Sequence, residues 1–225
     1  MKKLEVIDVK HTYKDGERKN EVLKGINAEF KPGVFYAIVG ESGSGKTTLL
    51  SLLAGLDSVQ EGKIMVDGKS IEEITKEKYR LKCSNIIFQS YNLIPYMTGR
   101  ENVDVAIDIQ YKHMDRLAKR KMAYEVLEQV GIAQDMADRL VMSLSGGEQQ
   151  RIAIARSIIG DVPIICADEP TGNLDEETEA KIIQIFKELA RQGKCVIVVT
   201  HSKNVANMAD EKYVIKKGIM KLSQK

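Results

Sequence analysis

The chain has 225 residues, 43% hydrophobic and 29% charged, enough for one substantial core with a subdomain and too few for two such domains. A formal net charge of +2 excludes the strongly basic footprint of a nucleic-acid-binding domain. No apolar run approaches the ~18 residues that a membrane-crossing helix needs, so any work at a membrane would pass through a partner.

Short β-type runs open the chain at 4–9, 22–30 and 34–39. Glu5 and Asp8 interrupt the first of them, and a signal peptide is not expected. Residues 46–54 read as a helix with Leu49, Leu50, Leu52 and Leu53 on its packing side. Asp67-Gly68 is a hairpin signal inside 63–70, and 86–88 is a short buried strand. The pattern is helical from 99 to 130, with Gly131 as its stop; the basic stretch 112–121, interleaved with Met114, Leu117 and Met122, reads as a solvated face. A helix over 145–159 ends at Gly160, a strand covers 163–167, a helix spans 175–192 up to Gly193, and a strand covers 194–200. Strands alternating with helices predict an α/β fold whose parallel sheet is covered on both faces. A helical lobe at about 90–145 would be inserted into a core made of 1–89 and 160–225. Cys83, Cys166 and Cys195 are odd in number and form no CxxC pair, so they read as buried, reduced thiols.

Residues 40–47 fit G-x-x-x-x-G-K-T between a strand and a helix. Glycines let successive N–H groups turn toward phosphate oxygens, and the helix start adds partial positive charge. Lys46 would reach the β- and γ-phosphates, and Thr47 would offer a hydroxyl to Mg²⁺. The apolar strand 164–167 runs into Asp168 and Glu169, which places two acids at the carboxyl edge of the sheet, where open α/β folds bind ligands. Asp168 is suited to a metal and Glu169 to polarising water as general base. Ser145-Gly146-Gly147-Glu148 is a capping box that starts a helix, and a capped helix start with two glycines is also an anion site. Three further residues are weak singly. Gln89 alone is a surface residue, His201 at a strand end is most often structural, and a lone aromatic near the N-terminus such as Tyr13 is usually core packing.

Taken together and in this order, these residues resemble the ATPase subunit of an ATP-binding cassette (ABC) protein over essentially the whole chain. The resemblance implies a P-loop NTPase with a RecA-like parallel-sheet core, an antiparallel β subdomain and an inserted helical subdomain. It makes residues 40–47 a Walker A loop, with Gly40, Ser42, Gly43, Ser44, Gly45, Lys46, Thr47 and Thr48 around ATP and Tyr13 stacked on adenine. Asp168 closes a Walker B strand, Thr47, Asp168 and Gln89 hold Mg²⁺, and Glu169, His201 and Gln89 act in hydrolysis. Ser145, Gly146 and Gly147 match the ABC signature and Asp175 the D-loop; both would meet nucleotide across a homodimer that closes on ATP.

The stretch from Ala167 to Asp175, with Gly172-Asn173 before Leu174, resembles a branch that serves macrolide efflux, lipoprotein release, bacitracin-type peptide transport and cell division. Cys166 replaces a leucine-like residue and Val34-Phe35 a common Gly-Glu, and neither touches the ATP assignment. The implied protein is a cytoplasmic ATPase held at the inner face of the cell membrane by an integral permease, with no nucleic-acid partner. Tyr91, Leu93, Ile94, Tyr96 and Met97 around Pro95 read either as the permease dock or as core of the helical lobe. A regulatory ATPase that transports nothing stands as the alternative. A DNA-repair cassette is disfavoured, because the chain has neither long heptads nor Cys/His clusters between its two phosphate motifs.

Overall fold

The computed structural model describes residues 3–16 and 18–223. Its centre is a sheet of strands β3 (Phe35–Val39), β6 (Ser84–Ile87), β7 (Ile164–Asp168), β8 (Cys195–Thr200), β9 (Glu211–Lys216) and β10 (Ile219–Leu222) in the order β10-β9-β3-β8-β7-β6. All neighbours are parallel except β10, which returns antiparallel on β9 at the edge. Strands β3, β7 and β8 are apolar almost throughout because both faces are covered. Alternate residues feed two cores. Ala37, Ile165, Ala167, Val196 and Val198 face one. Tyr36, Ile38, Ile164, Cys166, Cys195, Ile197 and Val199 face the other.

The first core is closed by helices α3 (Gly99–Gln110), α4 (Arg116–Gln129), α6 (Gly146–Ile158) and α7 (Glu176–Arg191). Helix α1 (Lys46–Leu53) and an antiparallel sheet of β1 (Leu4–Asp15), β2 (Arg18–Phe30), β4 (Glu61–Val66) and β5 (Lys69–Ser70), ordered β2-β1-β4-β5, close the second. The three cysteines are buried, and burial pushes the Cys166 thiol up to about 12.

Several elements differ from the sequence expectation. The first strand runs on to Asp15, so Tyr13 pairs with Asn20 across a long hairpin. The 99–130 run is two helices: Asp115 accepts from the N–H groups of Leu117 and Ala118 at 3.0 Å and starts α4 afresh. Helix α2 (Lys76–Lys82) buries only Tyr79, which leaves no periodic stripe to read. Helices α5 (Gln134–Ala137) and α8 (Lys203–Met208) and strands β9 and β10 were not anticipated either. The basic stretch is largely solvated, as expected, with Leu117 79% exposed and Lys119 paired to Asp108 at 2.6 Å. Among the described residues no helix is long and apolar enough to cross a membrane.

Candidate nucleotide-binding site

Strand β3 stops at Val39, and the next six residues wrap into the start of α1. A Cβ at Gly40 would overlap the Ile215 carbonyl oxygen, so the loop lies directly on β9. Gly218 adds an N–H to the Ser44 carbonyl at 3.3 Å. Gly45 has φ 106, a left-handed conformation that L side chains resist, and it starts α1 without a side-chain cap or an acid in the first turn. The buried Lys46 ammonium donates to the Gly40 and Glu41 carbonyls at 2.9 and 3.0 Å. Ser44 Oγ is buried with no hydrogen-bond partner. Uncapped helix donors, an orphaned hydroxyl and a lysine held by loop carbonyls fit a phosphate chain.

Asp168 and Glu169 leave the end of β7. Thr47 Oγ1 donates to Asp168 Oδ1 at 3.4 Å, which joins the hydroxyl and the carboxylate expected to share a metal. Burial raises the Asp168 carboxyl above its usual value, with the Thr47 hydrogen bond opposing and the neighbouring Glu169 charge adding to the rise. Glu169 sits at φ 45, its N–H tied to the Val199 carbonyl at 2.9 Å. Because β7 and β8 are adjacent and parallel, this turn meets the end of β8. There the Glu169 carboxylate contacts His201 Nδ1 at 2.9 Å and accepts from the His201 N–H at 3.1 Å. The sequence-predicted acid and histidine are thus one hydrogen-bonded unit.

A cleft of about 630 Å³ gathers Tyr13, the loop through Thr48, Gln89, Glu169 and His201. Tyr13 is 47% exposed, with its hydroxyl 3.4 Å from Thr48 Oγ1 and its ring edge-on to His11. Gln89 Nε2 stands beside Gly172, 3.4 Å from where a Cβ would lie. Asn20 and Val22 of β2 also line the cleft. Sequence reasoning missed both; their signal is the register that sets Asn20 opposite Tyr13.

Ser145, Gly146, Gly147 and Asp175 are not among the residues lining this cleft; they form a second cluster. Ser145 caps α6, accepting from the Glu148 N–H at 3.4 Å while the Glu148 carboxylate accepts from the Ser145 N–H at 2.7 Å. A Cβ at Gly147 would overlap the Thr178 methyl. Asp175 caps α7 by accepting from the Thr178 N–H at 3.0 Å and its hydroxyl at 2.7 Å, and the amide contact holds its carboxyl below the usual value. Thr178 therefore joins the signature glycine to Asp175. In the 91–97 stretch, Tyr96 is 77% exposed, whereas Leu93 packs on the helical side of the core.

The chain is similar to known proteins over nearly its whole length. The ABC transporter family matches residues 23–172. An uncharacterized ABC transporter ATP-binding protein of Bacillus subtilis, YclH, is 43% identical over 211 residues, 93% of this chain and 92% of that protein. The macrolide export ATP-binding/permease protein MacB of Marinobacter nauticus is 37% identical over 92% of this chain, which spans 32% of its length. Among solved structures, the dimeric ATP-binding cassette MJ0796 of Methanocaldococcus jannaschii, in a post-hydrolysis state bound to ADP and Pi, superposes with a TM-score of 0.90 at 36% identity over 99% of both chains. The chain belongs to the ABC transporter family and is an ATP-binding, ATP-hydrolysing component of such a transporter.

Proposed function

We propose that two copies of this chain close face to face on two ATP molecules and drive an integral membrane permease from the inner face of the membrane. Each site takes its phosphate grip from residues 40–48 of one chain and from Ser145, Gly146, Gly147 and Asp175 of the other. The observation that carries this reading is the separation of the two glycine-bearing helix starts: one lines the cleft, and the other stands outside it beside Thr178. The dimeric MJ0796 cassettes and the MacB relative, whose name joins an ATP-binding part to a permease, support the same assembly. Residues 1–89 and 160–225 serve as the nucleotide-binding core and about 90–145 as the helical subdomain. Tyr96, the exposed apolar residue of 91–97, marks the permease-facing part of that subdomain.

Within the site, Tyr13 stacks on adenine, and Lys46 leaves its loop carbonyls for phosphate oxygens. Ser44 finds in the phosphate the hydrogen-bond partner it otherwise lacks. Thr47, Asp168 and Gln89 would hold Mg²⁺, which when bound neutralises charge on the phosphate oxygens. Glu169 accepts the proton of the attacking water, and His201 fixes the orientation of its carboxylate. Positioning and charge neutralisation supply most of the rate in such sites.

Glu169→Gln tests the reading. The variant keeps an acceptor for the His201 N–H but loses its basicity. Turnover should fall by roughly 10²- to 10⁴-fold, the usual worth of a general base. ATP should still bind and should hold the variant as a dimer in size-exclusion chromatography. Near-normal turnover, or a monomer with ATP bound, would refute it.

A further inference from the structure

Two residues beyond Gln89 the chain enters an unusual conformation. Tyr91 and Asn92 are consecutive non-glycine residues in the left-handed region, at φ 62 and 48. Asparagine tolerates that region, whereas tyrosine resists it, so the pair persists only if its surroundings hold it. The holder is Arg156, ten residues along α6 from Gly146. Its Nη1 donates to the Asn92 carbonyl at 2.7 Å and its Nη2 to the Tyr91 carbonyl at 3.0 Å.

Arg156 makes no salt bridge among the described residues, and burial lowers its pKa. A desolvated guanidinium with no carboxylate partner is costly, and here its fork is committed to two main-chain oxygens. The rest of the segment is anchored separately. Asn102 of α3, fully buried, accepts from the Ile94 N–H at 2.8 Å and donates to the Ile94 and Thr98 carbonyls at 3.2 and 3.0 Å. Tyr91 also reaches the other end of α6, where its hydroxyl stands 3.0 Å from where a Cβ on Gly146 would lie. Residues 91 and 92 are therefore fastened along the same helix that presents Ser145.

We propose that Arg156 is a positioning residue for ATP hydrolysis: by holding Tyr91 and Asn92 left-handed, it sets the stance of Gln89 in the cleft and ties Gln89 to the signature helix. This rests on the reading above, in which Gln89 serves the ATP site and Ser145 the partner's. Arg156 touches no substrate in this account. It acts through the backbone of two residues.

Asn92 separates a conformational role from a merely structural one. Asn92→Gly loses the hydrogen bond from Ser90 Oγ to the Asn92 side chain but keeps the left-handed backbone accessible. Asn92→Val loses the same bond and disfavours the conformation. The full-length protein is assayed for ATP affinity by equilibrium titration and for kcat per nucleotide-binding site.

Arg156→Met and Asn92→Val should each cut kcat by about tenfold or more with affinity within about twofold. Asn92→Gly should stay within about twofold of the parent in both. The double variant Arg156→Met/Asn92→Val should be no more than about threefold slower than either single one, because both disrupt one arrangement. Arg156→Lys, which keeps the charge without the fork, should behave as Arg156→Met and serves if the methionine variant does not fold. Equal effects of Gly and Val at 92, additive losses in the double variant, or an unchanged kcat without the fork would each overturn the proposal. A parent protein that fails to bind ATP would instead overturn the reading beneath it.

Discussion

Helices α1 and α6 both start from a serine-glycine pair, Ser44-Gly45 and Ser145-Gly146, yet their first turns are finished in opposite ways. Before α1, Ser44 Oγ has no partner, Gly45 supplies no cap, and no acid follows in the first turn. At α6, Ser145 and Glu148 satisfy each other's backbone N–H groups, and the carboxylate already answers the helix dipole. The first start is left with unpaired groups that suit an anion. The second attracts little phosphate alone and contributes a hydroxyl and a close glycine surface once another molecule brings the phosphate to it. On the proposed reading, nucleotide capture and nucleotide-driven closure fall to the N-termini of two different helices.

Two substitutions press on this contrast. Lys46→Ala should weaken ATP binding by about 100-fold in an equilibrium titration, the loss of roughly 2.7 kcal/mol of charge-assisted contact. Unchanged affinity would mean that the bare helix start binds without its lysine. Ser145→Arg should leave the affinity of the dilute chain within about twofold while cutting concentration-dependent ATPase activity by about tenfold or more, since like charge and bulk would face the partner's Lys46. Full turnover in that variant would show that one chain suffices.

The smallest effect concerns Asp168. Its native carboxyl titrates above the unfolded value, so the ionised form disfavours folding at neutral pH and the penalty vanishes as pH falls through the native value. Asp168→Asn should therefore raise the Tm of the nucleotide-free protein by about 1–2 °C, modest because a partly exposed charge is screened. The gap should close in acid, and a gap that widens there would reverse the sign of the effect. Turnover of the variant should be lost.

Much of this site was legible before any coordinates, because it lies where local pattern is strongest. The loop 40–47 sits between a strand and a helix that are both plain in the residues, and the run 164–169 shows its apolar strand and its acids directly. The Glu169–His201 pairing also follows once β7 and β8 are read as parallel neighbours. Tertiary placement was less accessible. That Asn20 and Val22 join the cleft depends on a hairpin whose tip is almost wholly charged and carries no apolar alternation. The division between α3 and α4 was hidden because Asp115 stands inside an otherwise helix-compatible run. Strand β9 has only three consecutive apolar residues, Tyr213 to Ile215, between Lys212 and Lys216, so its partnership with β3 could not be seen from hydrophobicity alone. Nor does any local pattern disclose Arg156, whose two acceptors are carbonyls more than sixty positions away.

The contact between Gly40 and the Ile215 carbonyl, with Gly218 bonded to Ser44, has a bearing on biosynthesis. The floor under the Walker A loop is supplied by a segment made some 175 residues later. A nascent polypeptide whose translation has not yet passed that point lacks the backing that β9 and Gly218 give the loop. The shape of the loop is thereby tied to strands made near the end of synthesis.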